Sequence, residues 1–365
     1  MRILEIGSLE KMLTKSLNSS EQSISVISQF LKRQTPLHFG GMSDPFMPYE
    51  AISKTSLSVL DILSQFKYPT IISTKGKILR EDNYIDKLSK GKFVIQVSFS
   101  TLNDRKSKLL ERNTILPSER LKVIKEISQY CKVSARLQPV IPGNEAEIVD
   151  AISLLKDAGT YHISVEFLKI PLVNSASLLN SVSKIFEIDV AKYYSDKRIV
   201  GLEYLVNRNY ALKSHIEFIQ IANSVGLGYS SADTDFLPYD KSDCCCSGVH
   251  DLPGFNNYYT HTYSNAIRNA LKSKSRILKY DHLDSEWVPN GPINQFLNSK
   301  NRIPNKNSIK GWMAFRWNNP SKSIGPNTFF GIETTDAYDE NQMRVYKISS
   351  DAFRLAKSLN YFKDL

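Results

Sequence analysis

The chain lacks most of the features that settle a protein's class at a glance. It has no internal repeat, no low-complexity tract and no block of five like charges. No run reaches eighteen apolar residues, which excludes a membrane-spanning helix of ordinary length. The N-terminal stretch MRILEIGSLEKML mixes charge with apolar residues and has no secretory hydrophobic core, so a cytoplasmic protein is expected. Cysteine is scarce: Cys131 and the run Cys244, Cys245, Cys246 are all there is. Adjacent cysteines rarely bridge one another, and Cys131 can serve only one of them, so a secreted disulfide framework is excluded. The net charge of +10 fits a nucleic-acid partner. Because the lysines are spread over the whole length, a solvated surface is the stronger explanation of them.

What the chain does have is 365 residues with 41% hydrophobic content, ample for one large core and a smaller appended unit. Short apolar strands are expected at Leu37–Phe39, Thr70–Thr74, Phe93–Phe99, Val133–Val140, His162–Phe167 and Leu227–Ser231. Helix-period segments lie between them. Ser118 is expected to cap one that carries Leu121, Ile124 and Ile127. Asn144, with Glu147 three residues on, starts another that stops at Gly159. This alternation suits βα units and a parallel sheet.

The strands also carry a second pattern. In 93–100 the odd positions are Phe93, Ile95, Val97 and Phe99, and the even ones include Gln96, Ser98 and Ser100. In 133–138 Val133, Ala135 and Leu137 alternate with Ser134, Arg136 and Gln138. In 161–167 Ile163, Val165 and Phe167 alternate with His162, Ser164 and Glu166. Alternation usually marks an antiparallel sheet with a wet face, but helical crossovers argue against one. A curved parallel sheet reconciles the two: apolar faces meet outer helices, and polar faces line an enclosed interior whose strand C-termini hold the site. The expected fold is therefore α/β, a partial barrel over residues 1–232, with a smaller α+β unit over 233–365. In that second region aspartate, proline, tyrosine and glycine dominate DTDFLPYDKSDCCCSGVHDLPGFNNYY. A basic helix-like stretch, Asn265–Tyr280, and a Trp- and Asn-rich tail follow.

Several residues can do chemistry. Gly40 and Gly41 end the first strand, where a missing Cβ lets backbone approach a ligand, or where an ordinary βα turn is made. Asp44-Pro45 fixes the turn that follows. Thr74 and Lys75 end the next strand; Lys75 either holds an anion at the mouth or is a solvated lysine. Ser98 and Ser100 point the same way, which suits a ribose diol or a plain polar strand face. Arg136 faces inward and needs a partner, either Glu166 or a ligand carboxylate. Cys244, Cys245 and Cys246 with His250 are poorly spaced for zinc, since consecutive side chains diverge; one or two can help ligate an iron–sulfur cluster. Trp312 and Trp317 can stack on bases or belong to the core of the second unit.

In order and spacing, HFGGMSDPFMPYE, IISTKG, FVIQVSFSTLND with LLERN and PSERL, VSARLQPVIPGNEAE and HISVEFLKIP resemble the radical S-adenosylmethionine (SAM) superfamily, in particular the spore photoproduct lyase and DNA repair photolyase branch. The resemblance covers residues 36–171. It implies a partial (βα)6 TIM-like barrel that binds SAM at the strand C-termini. Gly40 and Gly41 would match the glycine motif at the SAM amino group, with Met42 where an acid is usual. Ser98 and Ser100 would match the ribose strand, Arg136 the carboxylate-binding position, and Thr74-Lys75 the neighbouring strand end, with Asp44 and Glu166 also in the site. A lyase-like enzyme, a nucleic-acid substrate and an electron donor such as flavodoxin or ferredoxin are further implications.

The Cys-x-x-x-Cys-x-x-Cys motif that holds the family's 4Fe–4S cluster is absent, and the resemblance implies that the strand before it is missing as well. The chain is read as an N-terminally incomplete form of a longer enzyme, or else as a natural cluster-less relative. In an intact relative, the reduced cluster would cleave SAM to methionine and a 5′-deoxyadenosyl radical for hydrogen abstraction. This polypeptide alone is not expected to hold the usual cluster. The reading from a different class is a catalytically inactive barrel that binds nucleic acid or acts as a scaffold.

Overall fold

The computed structural model describes residues 6–19, 26–196, 198–240, 247–249, 252–255, 262–283, 309–320 and 325–359. They divide into two compact units. The larger holds 6–10, Pro36–Asp233 and 247–249, and the second holds the remainder. Among the described residues no helix is long and apolar enough to cross a membrane.

Helices α1 (Ile6–Asn18) and α2 (Val26–Lys32) precede β1 (Leu37–Phe39). Then follow α3 (Glu50–Ser53), α4 (Thr55–Gln65), β2 (Thr70–Thr74), α5 (Asp82–Lys90), β3 (Phe93–Phe99), α6 (Asp104–Leu110), α7 (Pro117–Ile127) and β4 (Lys132–Val140). The unit continues with α8 (Glu145–Asp157), β5 (His162–Phe167), β6 (Ile170–Pro171), α9 (Ser175–Phe186), β7 (Ile199–Val200), β8 (Glu203–Tyr204), α10 (Arg208–Ser224) and β9 (Gly228–Ser231). Strands β1-β2-β3-β4-β5-β9 form one six-stranded sheet in that order, and every neighbouring pair is parallel. The short β6, β8 and β7 make a separate antiparallel ribbon after β5. The fold is α/β, with the helical crossovers that parallel pairing requires.

The two strand faces separate as their alternation demands. Phe93, Ile95, Val97 and Phe99 are all buried, and α7 packs on β3 through a helix whose Val123, Ile124 and Ile127 are fully buried. Helix α8 covers β4, and α10 covers β9. On the opposite face Gln96 stands beside Ser134, and Ser134 beside His162. One row nearer the strand C-termini, Ser98, Arg136, Ser164 and Ser230 are in register across β3, β4, β5 and β9.

The segment 37–50 is built around close approach. Gly40 has φ +96°, and a Cβ there would stand 2.3 Å from the Ser73 carbonyl oxygen at the end of β2. The backbone that needs the glycine is thus the neighbouring strand. Asp44 ties the two strand ends together: Oδ1 accepts from the Phe46 N–H (2.9 Å) and the Thr74 hydroxyl (2.8 Å), and Oδ2 from the Lys75 N–H (2.6 Å). Glu50 is buried and serves as a remote cap for α4. It accepts from the N–H groups of Ser56 (3.0 Å) and Leu57 (2.9 Å) and from the Tyr84 hydroxyl (2.8 Å).

Two helix starts differ from expectation. Pro117 occupies the first turn of α7, with Leu116 at the cap, so Ser118 lies inside the helix; its N–H (3.0 Å) and hydroxyl (2.7 Å) go to Asp104. Asn144 makes no side-chain cap on α8; its amide donates to Glu147 (2.7 Å), whose carboxylate also accepts the Leu102 N–H (2.6 Å). Gly159 does end the turn after α8, at φ +99°.

In the second unit, α11 (Tyr263–Lys272), β10 (Ile277–Leu278), α12 (Ile309–Asn318), β11 (Ile332–Tyr338), β12 (Arg344–Ile348) and α13 (Ser350–Ser358) enclose an aromatic core. The sheet order is β10-β12-β11, antiparallel throughout. The expected basic helix from Asn265 to Tyr280 is shorter than its composition suggests. Lys274 adopts the left-handed conformation (φ +57°), which ends α11 before the chain enters β10.

The segment 247–249 lies at the other end of β5. Gly248 has φ +66°, and a Cβ there would stand 2.2 Å from the His162 ring; Val249 and Ser247 are buried.

Gly40→Ala should destabilise the fold by more than about 1 kcal/mol, read as a lower urea midpoint, because φ is positive and the Ser73 carbonyl blocks the methyl. Glu50→Ala should cost about 1–3 kcal/mol, the penalty for stranding two helix N–H groups and a buried hydroxyl. Equilibrium denaturation of both variants, showing no change in midpoint, would refute these roles.

Candidate functional site

A buried polar row on a parallel sheet is tolerable only if its members bond one another. Here they do. The His38 Nε2 and Ser73 hydroxyl are 2.7 Å apart, and Ser73 donates to Gln96 Oε1 (3.1 Å). The Ser134 hydroxyl meets His162 Nδ1 (3.2 Å), and His162 Nε2 meets the Ser230 hydroxyl (3.0 Å). His162 is therefore a satisfied interior histidine. The Gln138 amide donates to the Ser164 hydroxyl (3.0 Å), and Arg136 donates to Gln138 Oε1.

Two donors on this face have no hydrogen-bond partner among the described residues: the buried Arg136 Nε and Gln96 Nε2. His38 stands on the edge strand and is exposed overall, yet its pKa is lowered, first by desolvation of the ring and second by the Arg136 charge.

Arg136 does not pair with Glu166. Glu166 forms its ion pair with Lys169, three residues on, beyond the end of the strand. Burial raises the Glu166 pKa, Lys169 opposes that rise most strongly, Asp233 adds to it, and Arg136 opposes it only weakly. Burial works against the Lys169 ammonium, but Glu166 outweighs it, so that pKa is also raised. Asp233 in turn accepts the Phe167 N–H (3.1 Å) and lies 3.0 Å from His215 Nε2 on α10. The ends of β4, β5 and β9 thus present two cations, Arg136 and Lys169, and two acids, Glu166 and Asp233, close enough to feel one another.

The ends of β2 and β3 converge on a residue with no expected role, Glu111. Lys75 Nζ donates to its Oε1 (2.7 Å), Ser100 donates to the same oxygen, and Arg120 donates to Oε2. Arg120 is fully buried and also donates to the carbonyls of Ser98 (2.7 Å) and Ile115 (3.0 Å). Burial alone would raise the Glu111 pKa; the Lys75, Ser100 and Arg120 donors overcome it and hold the carboxyl at about 2.

The expected site residues therefore fall into three groups. Asp44, Thr74 and the Lys75 backbone form one cluster with Gly40 beside it, and Gly41 lies against the His38 ring. The Lys75 ammonium and Ser100 are gathered by Glu111. Ser98 and Arg136 are in register on the polar face, with Glu166 two residues beyond the Ser164 partner of Arg136. Met42, where an acid is usual in the resembled family, is fully exposed. Cys244, Cys245, Cys246 and His250 lie outside the described residues. Among the described residues no group of three or more His, Cys, Asp or Glu side chains is arranged to hold a metal ion. Trp317 is core: it is fully buried, its indole N–H donates to the Arg344 carbonyl (2.6 Å), and Tyr263, Tyr280 and Tyr346 surround it. Trp312 is half-buried and stacked on Phe315.

Gln96, Glu111, Lys169 and Asp233 went unassigned in the sequence. Gln96 sits at an inward even position, and Lys169 follows Glu166 at a separation of three, so both carried a signal. Glu111 carried none, because a loop acid has no periodic neighbour.

No family profile matches the chain, and no curated protein matches it. Among solved structures, similar ones include Streptococcus suis SuiB bound to S-adenosylmethionine. That match has 14% identity over 50% of this chain and 43% of that one, with a TM-score of 0.32. SuiB bound to the precursor peptide SuiA matches at 14% identity over 50% of this chain and 57% of that one, TM-score 0.28. SuiB on its own matches at 13% identity over 53% and 57%, TM-score 0.28. The chain spans about half the length of the solved structures it matches.

The Glu111 carboxyl titrates lower in the folded chain than in the unfolded one. Its stabilisation is thus complete above about pH 4.5 and is lost as pH falls toward about 2. Glu111→Gln should lose up to about 3 kcal/mol at neutral pH. Its stability should converge with the parent's near pH 2. Denaturation across pH with a constant gap between the two would contradict the assignment.

Proposed function

We propose that the larger unit is a SAM-binding core of the radical SAM kind, with its ligand over the C-terminal ends of β1–β5. The observation that carries this reading is the buried, unpartnered Arg136 Nε and Gln96 Nε2 on a polar face whose other members mostly bond one another. SAM supplies a carboxylate, an ammonium and a sulfonium-linked adenosyl group, and these match donors and acceptors that the chain places side by side. Arg136 would take the carboxylate by charge-assisted bonds. Glu166 and Asp233 would favour the ammonium, and Lys169 opposes the rise that burial gives the Glu166 pKa. Ser98 is left for a ribose hydroxyl, since Ser100 is engaged by Glu111. Gly40 and Gly41 keep the end of β1 close to β2, so that the first strand closes the pocket wall.

The described residues supply no donor set that fits a 4Fe–4S cluster, and no step is assigned to one. The finer reading is the spore photoproduct lyase branch, hydrogen abstraction from a nucleic-acid substrate, and a flavodoxin- or ferredoxin-like electron donor. It rests on the order of the sequence motifs and on the +10 charge. Burial of Trp317 removes one of the two aromatics that the scaffold reading would use for base stacking.

Calorimetry of the folded chain with SAM tests the proposal. Measurable binding is expected, weakened about thirtyfold or more in Arg136→Ala, as for loss of one partner in a buried charge pair. Ser100→Ala should leave affinity unchanged. No heat from a folded sample, or an Arg136→Ala variant equal to the parent, would sink it.

A further inference from the structure

A cleft of about 650 Å³ opens in the larger unit between the 44–51 segment, the loop after β2, residues 113–115 and Glu126 of α7. It meets the site above at Asp44, Lys75 and Gly76, and at Thr114 and Ile115, which bond Arg120. Its walls are apolar: Phe46, Met47, Pro48, Ala51, Ile78 and Ile115. The apolar character continues onto the rim, where Met47 is 47% exposed. A volume of this size with such walls suits a small organic ligand.

The charges in the lining narrow the ligand further. Asp44 is satisfied by two N–H groups and a hydroxyl. Lys75 is neutralised by Glu111 (2.7 Å), and Arg80 forms a two-bond pair with Glu126. Glu81 has Lys54 at 3.5 Å. Lys77 is different: it is exposed, and among the described residues its ammonium has no hydrogen bond or ion pair. It acts on Glu119 only from a distance, and that acid already bonds Lys122 (2.6 Å).

We propose that this cleft binds an amphipathic monoanion, an apolar aliphatic or aromatic body with one carboxylate or sulfonate, whose charged end meets Lys77. The ligand's body would lie along Phe46, Met47 and Ile115. The site is separate from the proposed SAM pocket, and none of Lys77, Ala51 and Ile78 takes part in that pocket.

The test titrates the full chain with 8-anilino-1-naphthalenesulfonate and displaces it with decanoate or decylammonium. Saturable binding is expected, displaced by decanoate at concentrations at least tenfold below those needed for decylammonium. Lys77→Glu should weaken probe binding about tenfold, and Ala51→Trp, which fills the cleft, should abolish it. Both variants should keep the parent's circular dichroism and SAM response. If Ala51→Trp fails to fold, Ile78→Asp replaces it with the same expectation. Equal displacement by the two decyl compounds, or parent-like affinity in both variants, would overturn the proposal. So would a dimer in sedimentation that Ala51→Trp dissolves, since a second copy would then occupy the cleft.

Discussion

The constraint on which the larger unit depends is the cost of burying polar side chains on the inside of a parallel sheet. An unpaired hydroxyl or amide in that position costs about 1–3 kcal/mol. Here Ser73, Gln96, Ser134, His162 and Ser230 all lie within 6% of complete burial, so each must find its bond on a neighbouring strand. The bonds run His38–Ser73–Gln96 on one side and Ser134–His162–Ser230 on the other. This cross-strand bonding fixes register, because a slip of one residue would exchange the polar row for Ile95, Ala135 and Ile163. Register in turn sets Ser98, Arg136 and Ser164 side by side at the strand ends.

The strands were readable because period-two alternation and βα spacing are strong local signals, and each expected strand is present to within a residue at its ends. Which face is polar was equally readable. Which polar residues touch was not. Arg136 and Glu166 share a face, yet Gln138 and Lys169 lie nearer to them along their own chain segments and take their bonds. Alternation identifies a side of the sheet; it does not rank neighbours. Loop geometry was less readable still. Glu111 gathers Lys75, Ser100 and Arg120 from three separate elements, and nothing in residues 109–113 marks it for that position. The second unit was hard to read because its order comes from aromatic packing around Trp317, which has no period.

The glycine pair at 40–41 shows how one sequence feature can answer a structural need and leave a functional one open. Gly40 is required by the Ser73 carbonyl whatever the unit binds. The same contact brings the end of β1 against β2, where Asp44 holds Thr74 and the Lys75 backbone. The turn thus joins the ends of two neighbouring strands, and the glycine that permits it is a requirement of the fold.

The Gly248 contact with His162 reaches beyond local packing. Residues 247–249 belong to the same compact unit as the sheet, though they come after Asp233 in the chain. The unit is thus discontinuous along the polypeptide, and a gene fragment ending at its last strand would leave out the stopper over His162. Domain mapping by serial C-terminal deletion would therefore misjudge this unit, which includes a short stretch from further downstream.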